Sequence, residues 1–161
     1  MHTAFIGLGS NLGRPEAQLR RAIAALAELP ETRLAAASSL YRSAPVGHAD
    51  QPDFVNAVAQ LSTALTPPVL LAALLGIEKR FGRERSFRNA PRTLDLDLLL
   101  YDAHILAEPG LELPHPRMHQ RAFVLAPLVE IAPDCEIPGK GQAAVLLAAC
   151  ADQSVDKLAA P

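Results

Sequence analysis

The stretch Leu94-Asp95-Leu96-Asp97-Leu98-Leu99-Leu100-Tyr101 alternates leucine with aspartate at its start and ends as an apolar run. Successive side chains of a strand point to opposite faces. An extended reading therefore puts Leu94, Leu96, Leu98 and Leu100 on one face and Asp95 and Asp97 on the other. The α-carbons of the two aspartates then stand roughly 6 to 7 Å apart, close enough for both to reach one or two cations; on a helix they would diverge. Left unneutralised, the pair repels by about 2 to 3 kcal/mol at an effective dielectric near 20, so a positive group must lie close. Metal or arginine meets that need. Spacing alone leaves open the alternative of an internal salt bridge or a solvated strand face.

Upstream, Thr66 is an N-cap and Pro67 a first helical residue; Val69, Leu70, Leu74, Ile77 and Phe81 line one face before Gly82 ends the helix. This helix leads into a basic segment. Of the 15 Lys and Arg residues, six (Lys79, Arg80, Arg83, Arg85, Arg88 and Arg92) fall in this region, against Glu78 and Glu84. Further back, Thr3 to Leu8 reads as a strand ending in the turn Gly9-Ser10-Asn11-Leu12-Gly13. Pro15 then starts a helix with Leu19, Ala22, Ile23, Leu26 and Ala27 at helical spacing. Thr32 to Tyr41 and Phe54 to Leu65 read as an antiparallel pair of strands, joined through a loop from Ser43 to Asp53. Downstream, proline-rich sequence leaves room for short helices around Arg121 to Ile131 and Ala143 to Cys150.

The order β, α, β, β, α, β defines an α+β fold: a ferredoxin-like βαββαβ sandwich with an antiparallel sheet and appended C-terminal helices. With 161 residues and no repeat or linker, residues 1–161 are expected to form a single domain. A net charge of -2 argues against a nucleic-acid partner. Cys135 and Cys150 form no paired motif and read as inert fillers in a reducing cytosol. The start of the chain lacks a basic region of the signal-peptide kind, and the apolar run from Pro67 to Ile77 is far shorter than the roughly 20 residues of a membrane span. A soluble, cytoplasmic monomer without a membrane partner is the expectation.

Paired acids beside clustered arginines suit a phosphorylated ligand with magnesium, the acids holding metal and the guanidinium groups gripping phosphate oxygens. No Walker loop is present, and Gly7 to Gly13 misses the dinucleotide fingerprint because its last glycine comes one place late. His115 and His119 share an i, i+4 spacing, but Pro116 intervenes and no HExxH glutamate lies between them, which argues against zinc. His48 reads as a surface residue. Phe54 and Phe123, taken alone, read as core.

The segment Arg88-Asn89-Ala90-Pro91-Arg92-Thr93-Leu94-Asp95-Leu96-Asp97-Leu98-Leu99 closely resembles the signature of the 6-hydroxymethyl-7,8-dihydropterin pyrophosphokinase family. The likeness continues through Gly9 to Leu12, Ser39 to Arg42, Asp50 to Ala57, Pro114-His115, Arg121 and Phe123. It implies transfer of diphosphate from ATP to the hydroxymethyl group of 6-hydroxymethyl-7,8-dihydropterin, leaving AMP and the pterin diphosphate, in folate biosynthesis. The small-molecule substrates are then ATP and the pterin, with two Mg2+ ions held by Asp95 and Asp97. By resemblance, Arg83, Arg92, Asp95 and Asp97 are catalytic. Glu78, Arg83, Arg85, Arg92, Leu98, His115 and Arg121 bind ATP, His115 and Arg121 as phosphate donors. Ser43, Val46, Phe54, Asn56, Asp95 and Phe123 bind the pterin, the two phenylalanines stacking on its ring. The chain departs from the common pattern at Asn89 (often tryptophan), Ala90 (often glycine), Gly110 (an arginine) and Glu112 (a small hydroxyl residue), which bears on loop closure and ATP affinity. Two rival readings are a two-metal nucleotidyltransferase and a ligand-sensing module without catalysis. The first fits poorly because Gly9-Ser10 lies most of the chain away from Asp95.

Overall fold

The computed structural model describes residues 1–44, 52–82 and 94–159. In chain order these form β1 (His2–Ser10), α1 (Pro15–Ala27), β2 (Thr32–Ala37), β3 (Leu40–Ser43), β4 (Phe54–Thr63), α2 (Pro67–Gly82) and β5 (Asp95–Tyr101). After β5 come the hairpin β6 (Leu106–Glu108) and β7 (Leu111–Leu113), a 3-10 turn (Met118–Gln120) and α3 (Ala122–Ile131). The chain continues with β8 (Glu136–Ile137), β9 (Gly141–Gln142), α4 (Ala143–Ala148) and β10 (Val155–Ala159). The main sheet runs β10-β3-β4-β1-β5, with β2 also paired to β4, and these pairings are antiparallel. Its core is the expected ferredoxin-like order, with β2 and β3 together serving as the second strand.

That second strand departs from the sequence expectation of one strand over Thr32 to Tyr41. It breaks at Ser38-Ser39, where the Ser38 amide donates to the Val58 carbonyl (2.9 Å) and the Ser38 hydroxyl accepts the Val58 amide (2.9 Å). A side chain thus replaces one ladder acceptor, so the chain steps out of register without leaving a buried amide unpaired. The expected face of β5 is also corrected. A register shift lies opposite the Phe5/Ile6 step, so Leu94, Leu96 and Leu98 join the apolar cluster beneath α1 and α2 while Leu99 and Leu100 face the opposite cluster. A bulge has this effect, because one extra residue reverses the in/out alternation beyond it.

Both faces of the sheet are covered. Leu19, Leu26, Leu70, Leu74, Ile77 and Phe81 pack from α1 and α2 onto Ile6, Leu8 and Leu61. Val69 is a correction: expected on the buried face of α2, it is 52% exposed. On the other face, Leu125 and Leu128 of α3 pack with Phe5, Val58, Leu99 and Met118. The appended segment therefore supplies the second layer. It also supplies β10, an edge strand absent from the sequence expectation. The expected Ala143 to Cys150 helix ends at Ala148.

Candidate functional site

The end of the sheet where β1 finishes and β5 begins is left open by the α3 layer. Gly9 sits between two partners there, pairing with Asp95 of β5 on one side and with Asn56 of β4 on the other. Gly7 pairs with Asp97. Asp95, Asp97, Gly7, Gly9 and Asn56 thus share one face. The two aspartates are exposed, and Asp97 stands beside the next strand's glycine rather than beside a bulky side chain.

Above this face lies a cavity of about 970 Å³. Gly7 and Gly9 form its floor, Ser43, Phe54 and Asn56 one wall, Asp95 and Asp97 another, and Arg121 and Phe123 its α3 side. The floor is flat because the glycines carry no side chain; a Cβ on Gly9 would come within 3.2 Å of Asn56 Nδ2. Asn56 is held in turn, since the Ser43 hydroxyl donates to its Oδ1 at 2.6 Å. The Arg121 guanidinium lies 5.5 Å from the centre of the Phe123 ring, within the range of a cation–π contact.

A second cavity, of about 320 Å³, opens on the far side of Asp97 and is lined by Leu71, Leu98, Gly110, Glu112 and His115 as well. Asp97 lines both cavities. The His115 amide donates to the Leu99 carbonyl, anchoring this residue to β5 (2.9 Å). The Arg117 amide donates to His115 Nδ1 (3.2 Å), so the neutral imidazole carries its proton on Nε2. Burial pushes the His115 imidazole below its ordinary pKa; Asp97 and Glu112 pull upward, while Arg121 and Arg117 add to the lowering. A neutral His115 still donates through Nε2.

Of the sequence-assigned residues, Ser43, Phe54, Asn56, Asp95, Asp97, Arg121 and Phe123 meet around the larger cavity, and Leu98 and His115 around the smaller. Arg121, assigned to the nucleotide, lines the larger cavity, as do the paired acids. Glu78 lines neither of the two cavities. Its carboxylate accepts the Leu96 amide at 2.7 Å, tying α2 to β5 between the two aspartates. Val46, Arg83, Arg85 and Arg92 lie outside the described residues, as do His48, Asn89 and Ala90. Sequence reading missed three features. Gly7 and Gly9 were read as strand and turn, although glycine inside a strand also marks close approach of a ligand. Arg117 was passed over on the rim of the larger cavity. Gln153 caps α3, its Oε1 accepting the Ala122 amide (2.9 Å) and its Nε2 donating to the Gln120 carbonyl (2.8 Å).

Paired carboxylates suit a hard cation. Among the described residues no three His, Cys, Asp or Glu side chains converge into a metal cluster. The two carboxylates fit magnesium, which binds through one or two carboxylates and takes its other ligands from water and substrate phosphates.

Fold and site together define an α+β enzyme with two adjoining cavities that meet at Asp97. The profile of the 7,8-dihydro-6-hydroxymethylpterin-pyrophosphokinase family matches residues 5–133. A Pseudomonas aeruginosa protein named 2-amino-4-hydroxy-6-hydroxymethyldihydropteridine pyrophosphokinase is 50% identical over 154 residues, 96% of this chain and 95% of that protein. A Haemophilus influenzae protein of the same name is 47% identical over 158 residues, 98% of this chain and 99% of that protein. Among solved structures, a Plasmodium falciparum HPPK-DHPS chain matches with a TM-score of 0.74 at 13% identity, covering 92% of this chain and 43% of that one, a likeness of fold. The chain belongs to the 7,8-dihydro-6-hydroxymethylpterin-pyrophosphokinase family and is an ATP-dependent pyrophosphokinase of folate biosynthesis. Membership displaces the nucleotidyltransferase and ligand-sensing readings.

Proposed function

We propose that the larger cavity takes 6-hydroxymethyl-7,8-dihydropterin and the smaller one the nucleotide, and that diphosphate passes from ATP to the pterin hydroxymethyl oxygen beside Asp95 and Asp97. The observation that carries this reading is that Asp97 belongs to both cavities. A flat bicycle fits between Phe54 and Phe123, where stacking contributes beyond simple burial. The Ser43–Asn56 pair faces its polar edge and makes up for lost water. His115, neutral and protonated on Nε2, donates to a phosphate oxygen, and Arg121 supplies a fixed positive charge on the cavity that the paired acids also line. Glu78 acts on the nucleotide side by fixing the backbone between Asp95 and Asp97.

Asp95 and Asp97 are the residues that would hold two magnesium ions; when bound, the metal neutralises the triphosphate and aligns it for in-line attack. Arg83, Arg85 and Arg92 follow α2 in the chain and belong to the same reading as phosphate ligands, Arg83 and Arg92 acting on the transition state; Val46 completes the pterin pocket. Positioning and electrostatics carry most of the rate. Gly110 and Glu112, both on the smaller cavity, replace an arginine and a small hydroxyl residue of the common pattern, so phosphate binding there leans on His115 and the arginines after α2. We place the enzyme in the cytoplasm as a monomer, with residues 1–161 forming one domain. Within the described residues no helix is long and apolar enough to cross a membrane.

The Asp97→Ala variant tests the reading. Turnover is expected to fall by at least about a hundredfold at any magnesium concentration, with the pterin still bound. Turnover near wild type in saturating magnesium contradicts the role given to Asp97.

A further inference from the structure

We propose that Glu130, which lines neither of the two cavities, is a positioning residue for the pterin: its carboxylate clamps together three elements that line the larger cavity. The proposal rests on the reading of that cavity as the pterin site. Glu130 lies near the end of α3, seven residues beyond Phe123 and thus roughly 10 Å along the helix. Its Oε1 accepts the Ser39 amide (3.0 Å) and the Tyr41 hydroxyl (2.8 Å), and its Oε2 accepts the Ser39 hydroxyl (2.7 Å). Lys157 Nζ of β10 stands 3.6 Å from Oε2.

Each clamped element reaches the cavity. Helix α3 carries Phe123. Strand β3 carries Ser43, two residues from Tyr41 and on the same face, buried like it. Strand β10 pairs Lys157 with Tyr41 and Val155 with Ser43, and Val155 lines the cavity. Apolar packing through Leu125 and Leu128 holds α3 on the sheet but tolerates sliding. Hydrogen bonds from fixed donors do not, because they are directional. Ser39 and Tyr41 are only 1% and 8% exposed, so without an acceptor their donors lose water with no replacement. The clamp sets how far the Phe123 ring stands from Phe54 and Ser43 without touching substrate.

The experiment compares Glu130→Gln, Tyr41→Phe and Phe123→Ala in the full chain, measuring KM for the pterin, KM for ATP and kcat. Glu130→Gln and Tyr41→Phe are expected to raise the pterin KM roughly tenfold and about threefold, with the ATP KM unchanged. The double variant is expected to be no worse than Glu130→Gln alone, since both cut the same network. A pterin KM unmoved in both variants overturns the proposal, as does a parallel rise in both KM values that tracks lost thermal stability. If Glu130→Gln does not fold, Tyr41→Phe, which keeps the ring, decides alone. An unchanged pterin KM in Phe123→Ala refutes the cavity assignment itself; a raised one beside an unmoved Glu130→Gln refutes only the clamp.

Discussion

Gly9 contributes through the side chain it lacks. It lies between Asp95 and Asn56, and a methyl group there would press on an amide that Ser43 already holds at 2.6 Å, leaving little room to yield. Gly9→Ala is therefore expected to weaken pterin binding by about 1 kcal/mol, a roughly fivefold rise in Kd, with nucleotide binding intact. Calorimetric titration of the two substrates separately checks this; equal losses for both would show general distortion of the sheet. Asp95 and Asp97 were legible in the sequence because i, i+2 spacing on a strand fixes their common face whatever surrounds them. The role of Gly9 was not, since a glycine after Leu8 serves a turn as readily as a cavity floor, and only the pairing partners tell these apart.

At the scale of elements, the strand and helix order followed from hydrophobic periodicity, which reflects which face is buried. The breaks did not. The interruption at Ser38-Ser39 depends on a serine hydroxyl standing in for a backbone acceptor, and the bulge in β5 inserts a residue into a run that is leucine on both sides, so neither disturbs the pattern. Strand β10 was hidden because Asp156 and Lys157 at a sheet edge read as polar surface. The link from α3 to β3 also confers a pH dependence. Burial raises the Glu130 pKa, but the hydrogen bonds from Ser39 and Tyr41 and the charge of Lys157 outweigh it and hold the carboxyl below its ordinary 4.5. A folded pKa lowered in this way contributes stability that is present above 4.5 and is lost as pH falls through the folded value. Urea midpoints measured from pH 6 to pH 3 are expected to fall more steeply for wild type than for Glu130→Gln, the two curves converging in acid. Parallel curves would mean that the carboxylate gains nothing from its partners on folding.

For the whole molecule, two apolar layers grip opposite faces of one sheet, and the site forms where the α3 layer stops short of the sheet's end. The division of labour follows from this placement. The acids stand on β5, an edge strand paired with β1, while the arginines of 83–92 follow α2 in the chain. The sequence pointed to Ser43, Phe54, Asn56, Asp95, Asp97, Arg121 and Phe123, which line one cavity, but not to a second cavity that shares Asp97, because that depends on where the hairpin after β5 and α3 come to rest. On the proposed assignment, the nucleotide would bind together with a cation that offsets the two carboxylates, and the pterin would stack in the adjoining cavity on the other side of Asp97. A thermal unfolding series with a non-hydrolysable ATP analogue tests this most directly. At ligand concentrations near a hundred times Kd, the account predicts a rise in Tm of roughly 5 to 10 °C that requires magnesium, grows further when the pterin is added, and disappears in Asp97→Ala. An equal rise without magnesium, or no further rise with the pterin, would contradict it.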